Sequence, residues 1–253
     1  LPRLELIGAG IASATVSSFM FLSLLAFVLL DRRLRRYRLF GRFWRADWAR
    51  FRDIFRIGLP MGITTLAEIG MFTAAALLVG LLGTDALAAH AIAVQCAAIV
   101  YMIADGIAKA VMVRVGRATG AGDHRGAARA GWAGITLGLG YALLPALAFW
   151  LFGGAIVDLY LGPARPETMP VRELAIAFLF VVALSQLADG TQVTAMGALR
   201  GLKDTQRPML IALLGYWGLG LPIGAYFGIY LNFGGEAIWS GLAIGLTVVS
   251  VCL

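Results

Sequence analysis

Residues 174–197 read LAIAFLFVVALSQLADGTQVTAMG, a run in which Asp189 is the one charged side chain. A helix rises 1.5 Å per residue, so a run of this length crosses the roughly 30 Å hydrocarbon core of a bilayer. Working outward, comparable apolar runs lie near 8–30, 57–80, 88–112, 131–153, 208–230 and 236–253. A water-soluble protein can bury one or two such helices, but not seven in succession. The expected fold is therefore all-α, a polytopic transmembrane helical bundle of about seven spans.

Composition agrees. Hydrophobic residues make up 60% of the chain, mean hydropathy is +0.84, and only 14% of residues are charged, against about 25% in soluble domains. Cys96 and Cys252 both fall in apolar runs. Two cysteines support neither a disulfide framework nor a metal site, and both read as small buried hydrophobes. The chain opens Leu1-Pro2-Arg3 and stops at Leu253 inside an apolar run, so it reads as a fragment of a longer protein.

The net charge of +7 is concentrated rather than spread. Ten arginines lie in 31–56. Arg114, Arg117, Arg125 and Arg129 lie in the loop near 113–130, and Arg200, Lys203 and Arg207 near 198–207. If all seven runs span, these loops share one side, and the other side has only Arg3, Arg165 and Arg172. Basic loops face the cytoplasm, so the pattern marks membrane topology and not a nucleic-acid surface. Within 31–56, Phe40, Phe43, Trp44, Trp48, Phe51 and Phe55 recur at three- and four-residue steps. This spacing predicts a cytoplasmic basic amphipathic linker lying in the membrane interface; a plain solvated linker is the alternative.

Pro60 is expected in the first turn of the second span, where proline is tolerated. Pro222 lies deep in the sixth, with Gly215, Gly218, Gly220 and Gly224. Bending for gating and close helix packing account for these residues equally well.

Three acids lie inside the spans: Glu68, Asp105 and Asp189. Ionisable groups at membrane depth usually face a cavity and carry function. Counting from the cytoplasmic ends of their spans, all three sit about 11–16 Å deep. Ser185, Gln186 and Gln192 flank Asp189 at i−4, i−3 and i+3, one polar stripe; Thr64 and Thr65 precede Glu68 by one turn, and Tyr101 precedes Asp105. Asp105 and Lys109 are spaced for an intramembrane ion pair, whereas Glu68 and Asp189 have no basic residue in their own spans. His90 reads as an interfacial residue at a span end, and His124 as a loop residue. Burial favours the protonated form of a carboxyl and a nearby cation favours the ionised form. Two acids bordering one cavity can thus hold protons, or a small cation such as Na+, until an incoming cation displaces them.

Four stretches, in order, resemble the multidrug and toxic compound extrusion (MATE) transporters. They are RIGLPMGITTLAEIG at 56–70, LLGTDALAAHAIAVQ at 81–95, VRVGRATGAGDHRGAARAG at 113–131 and SQLADGTQVTAMGALRGLKDTQRPM at 185–209. The resemblance implies that 1–30 is the last helix of an N-terminal lobe, that 31–56 links the lobes, and that 57–253 is a six-helix C-terminal lobe. It further implies a monomeric secondary active antiporter in a bacterial inner membrane, surrounded by lipids. Such a protein exports small organic, often cationic, compounds in exchange for Na+ or H+ and needs no other cofactor. Glu68 and Asp189 match acids implicated in cation binding in part of the family. Ser185 stands where some members carry a tyrosine.

Other classes fit less well. A lipid-linked sugar flippase handling anionic headgroups would line its cavity with arginines, and none lies deep in these spans. A channel or scaffold subunit would need a filter motif or charge ring. An enzyme would need a constellation such as HExxH or GxxxxGK, and the chain has two histidines in all.

Overall fold

The computed structural model describes residues 5–31, 46–162 and 165–253. Its helices are α1 (Glu5–Leu30), α2 (Trp48–Gly80), α3 (Thr84–Gly120), α4 (His124–Leu161), α5 (Met169–Gly201), the composite α6 (Gln206–Tyr230) and α7 (Gly235–Cys252). All seven contain a stretch long and apolar enough to cross a membrane. The chain is a polytopic helical bundle, and no strand occurs among the described residues.

The chain divides into two compact units, 1–52 and 53–253. In the first, α1 presents apolar side chains all round, among them Phe19, Met20, Phe21 and Leu24. A helix apolar on every side requires lipid or other helices around it. Phe40, Phe43 and Trp44 of the expected amphipathic linker lie outside the described residues. Trp48 begins α2, and the rings of Trp48 and Phe51 meet edge-on with centroids 5.8 Å apart.

In the second unit, short turns at 81–83, 121–123, 202–205 and 231–234 join consecutive helices, and the pairs joined at 121–123 and 231–234 pack on each other. Left-handed backbone closes these turns, at Gly122, Lys203, Asn232 and Gly234. Asp123 caps α4, its carboxylate accepting from Gly126 N at 2.8 Å.

The middle of this unit is α5, which packs along α3, α4 and α7. Residues 192–197 are buried in succession, a pattern that only a helix surrounded by other helices can show. Small residues allow the approach. A Cβ on Gly190 would lie 2.7 Å from Ala142 Cβ and 3.0 Å from Gly138 O. Where α6 crosses α7, a Cβ on Gly224 would lie 2.8 Å from Ile238 O.

The backbone of α6 departs from α geometry on both sides of Pro222. Residues Leu214–Gly220 and Tyr226–Tyr230 are π-wound. The glycines there serve the expected packing role. Gly215, Gly220 and Gly224 pack on α7, and the helix deforms around the proline, which has no N–H to give the ladder.

Three expectations are corrected. Pro60 is not in a first turn, because α2 begins at Trp48 and runs unbroken past it. The basic aromatic stretch from 48 is helical and lengthens the span upstream. His90 is not interfacial: it is 3% exposed, packed on Trp239 with ring centroids 5.3 Å apart. Because α3 starts at Thr84, His90 sits nearly two turns inside it. Cys96 is buried as expected, but Cys252 is exposed in the last turn of α7.

Candidate cation and substrate site

Glu68 is carried by α2, between the buried neighbours Ala67 and Met71. Its main chain is held from outside the helix: Trp217 of α6 donates its indole N–H to Ala67 O at 3.0 Å. The same ring covers Gly70, where a Cβ would approach Trp217 Cζ2 to 3.0 Å. An alanine there would require the indole to give way by a few tenths of an ångström.

Asp189 stands at the middle of α5 on the predicted polar stripe. Ser185, Gln186 and Gln192 are all buried, and Asp189 itself is half-buried. Glu68 is half-buried too, and the two carboxyls interact electrostatically from different helices. Asp105 and Tyr101 of α3 belong to the same electrostatic neighbourhood. Tyr101 packs beside Ala104, Ala108 and Val193, so α3 and α5 fix it between them. Glu68, Tyr101, Asp105 and Asp189 thus lie on three helices, α2, α3 and α5, within electrostatic reach of one another.

Other predicted members do not join them through their side chains. Thr64 is buried, but its hydroxyl donates to Pro60 O at 2.9 Å. Thr65 is exposed and donates to Met61 O at 3.1 Å. Ser185 donates to Val182 O at 2.9 Å. In each case the hydroxyl hydrogen is spent on its own helix. Lys109 pairs with Asp105 at 2.6 Å, with the lysine side chain 69% exposed and the aspartate 27%.

Two residues at the site, Tyr216 and Arg200, escaped sequence reasoning, and the predicted Gln192 meets the first of them. Tyr216, in the π-wound part of α6, is fully buried and interacts with Glu68, Asp189 and Tyr101. Gln192 donates its Nε2–H to the Tyr216 hydroxyl, and its own Oε1 is buried with no partner. Arg200, half-buried in the last turn of α5, adds a cation within electrostatic reach of Glu68 and Tyr101. No local pattern marks Tyr216, since its partner lies 24 residues away on another helix. Arg200 reads in the sequence only as a topology signal.

The arrangement offers two carboxylates from separate helices, with the phenols of Tyr101 and Tyr216 within electrostatic reach of both. Such a set can take up a proton or a small cation, and can bind an organic cation in its place. Among the described residues no group of three or more His, Cys, Asp or Glu side chains is placed to hold a metal ion. A cation bound here would draw part of its shell from neutral oxygens.

A family model described as MatE matches residues 60–226. The chain belongs to the MatE family. That match takes in both Glu68 and Asp189. The probable multidrug resistance protein NorM of Brucella suis is 46% identical over 246 residues, which covers 97% of this chain and 52% of that protein. The protein of the same name from Mesorhizobium japonicum is 45% identical over 252 residues, covering 100% and 54%. The chain thus spans about half the length of these MatE relatives. Among solved structures, the eukaryotic MATE transporter AtDTX14 superposes with a TM-score of 0.79 at 19% identity, covering 94% of this chain and 52% of that one. A MATE transporter in complex with MaL6 gives 0.80 at 19%, covering 98% and 56%. At that identity the likeness concerns the fold alone.

Proposed function

We propose that this chain is the cation-coupling half of a secondary multidrug exporter in a bacterial inner membrane, with its arginine-rich loops on the cytoplasmic side. Glu68 and Asp189 bind Na+ or H+, and an organic, often cationic, substrate competes with that ion for the same acids. What supports the reading is that these two carboxyls, on α2 and α5, are both half-buried and within electrostatic reach of each other. The relatives named as probable multidrug resistance proteins supply the substrate class.

Mutual exclusion at one site suffices for exchange. If ion and substrate each weaken the other's binding, linkage makes the effect reciprocal, and a gradient of one drives the other outward. No covalent chemistry is needed, only two states of the transporter that expose the site in turn.

The test uses the full-length transporter in proteoliposomes. Glu68→Gln and Asp189→Asn each keep side-chain volume and remove one negative charge. Both should abolish exchange of a cationic dye driven by an imposed Na+ or H+ gradient, while expression stays at the parent level. Parent-like exchange in both variants rejects the reading.

A further inference from the structure

A polar cavity of about 540 Å³ opens at the end of the bundle where α5 turns into α6, and its lining shares no residue with the acid site. One wall is the start of α2, with Asp53, Arg56 and Ile57. The other is the turn at 202–205 with the first residues of α6. Three basic and two acidic side chains line this one space. Asp204 is already engaged, its Oδ1 accepting from Arg207 N at 3.4 Å and its Oδ2 lying 3.7 Å from Arg207 Nε. Arg56, Lys203 and Asp53 enter no ion pair among the described residues. Two cations and one anion therefore remain open to a ligand.

Two further observations bear on what that ligand is. Thr205 lines the cavity and is only 4% exposed, yet its hydroxyl makes no capping bond to α6, which it precedes. The walls also continue into the span as α2 and α6, and Leu59 and Leu210, just past the lining residues, are exposed. A polar cavity of mixed charge thus adjoins apolar surface at a membrane end of the bundle.

We propose that this cavity holds the headgroup of an aminophospholipid, with its phosphodiester on Arg56 and Lys203 and its primary ammonium on Asp53. Basic pockets between membrane helices at the bilayer surface take phosphate headgroups, and the Thr205 hydroxyl adds a neutral donor to a phosphate oxygen. Asp53 selects among headgroups. A purely anionic one would set a like charge against it. A choline headgroup has no N–H to donate, whereas a primary ammonium has three. Free phosphoethanolamine carries the same two charges, but it lacks the acyl chains that the surface at Leu59 and Leu210 suits. The bound lipid would brace α2, which carries Glu68, against the turn between α5 and α6.

The experiment titrates the full-length transporter, delipidated in detergent, with phosphatidylethanolamine, phosphatidylcholine or phosphatidylglycerol of identical chains. Retained lipid is counted by native mass spectrometry. The parent should hold phosphatidylethanolamine roughly tenfold more tightly than either other lipid, the effect of one charge-assisted hydrogen bond. Asp53→Asn should erase that preference, and Arg56→Gln/Lys203→Gln should weaken retention of all three lipids. All three positions are exposed, so the variants keep the fold. Phosphoethanolamine in solution, added at the concentrations of the titration, should leave the lipid in place. A parent without the preference, an Asp53→Asn variant that keeps it, or displacement by free phosphoethanolamine overturns the inference.

Discussion

The indole N–H of Trp217 donates to the main-chain carbonyl of Ala67 at 3.0 Å, so α6 grips α2 at the residue before Glu68. The neighbouring Tyr216 meets Gln192 on α5. Two consecutive residues of one π-wound turn therefore connect the helices that carry both candidate coupling acids.

This tie has a measurable consequence. Trp217→Phe keeps an aromatic ring over Gly70 but cannot donate to Ala67 O. Losing one hydrogen bond costs about 1 kcal/mol, which corresponds to roughly 1–2 °C in melting temperature for a protein about twice this chain's length. The loss should appear in a thermal-shift assay of the full-length protein in detergent, along with slower gradient-driven dye efflux. A variant as stable and as active as the parent would show that the contact does not support the site.

A second prediction concerns the crossing of α4 and α5. Gly190→Ala puts a methyl 2.7 Å from Ala142 Cβ, and the helices must part to admit it. Overpacking of this kind costs about 1–3 kcal/mol. Gly140 has open space around its Cα, so Gly140→Ala should be neutral or slightly stabilising through its better helix propensity. Thermal stability of the two variants, compared side by side, checks the assignment. Equal melting temperatures would mean that the crossing is looser than described.

What the sequence made legible follows from the range of the interactions involved. Spans are local properties of about 20 residues, and seven apolar runs are enough to place seven helices. The stripe Ser185–Gln186–Asp189–Gln192 is also local, and the helix keeps it on one side. Helix starts were less accessible, because Trp48–Phe55 can be read as interfacial until the backbone is seen to be continuous through Pro60. His90 reads as the end of a span for the same reason, since the partner that buries it, Trp239, packs on it from α7. Tyr216 and Trp217 find partners 24 and 150 residues away. No periodicity within α6 could announce either contact.

A third prediction addresses the other end of the α4–α5 pair. Arg172 grips Asp158 with two parallel bonds, Nε to Oδ1 at 2.6 Å and Nη2 to Oδ2 at 3.1 Å. They join the last turn of α4 to the first turns of α5 across the connection at 162–168. A lysine has the charge but not the planar fork. Arg172→Lys should therefore lower the melting temperature nearly as much as Arg172→Ala. Both differences from the parent should be small, since the pair is partly solvated, and should shrink as salt is raised. Full retention of stability by the lysine variant would show that charge alone acts there.

The last prediction concerns Asp105 and Lys109, which pair one turn apart on α3 at 2.6 Å. The lysine is mostly exposed, so the pair itself contributes little, about 0–1 kcal/mol. Its importance lies in position, because Asp105 interacts electrostatically with Glu68 and Tyr101. Lys109 turns part of that negative charge away from the coupling acids. Asp105→Lys alone leaves two ammonium groups a turn apart and places one of them beside Glu68, and it should lose both stability and exchange. The double variant Asp105→Lys/Lys109→Asp restores an attractive pair and should recover most of the lost thermal stability and a substantial part of dye exchange. Recovery of neither would reject the pairing and would assign Asp105 to the acid cluster in its own right.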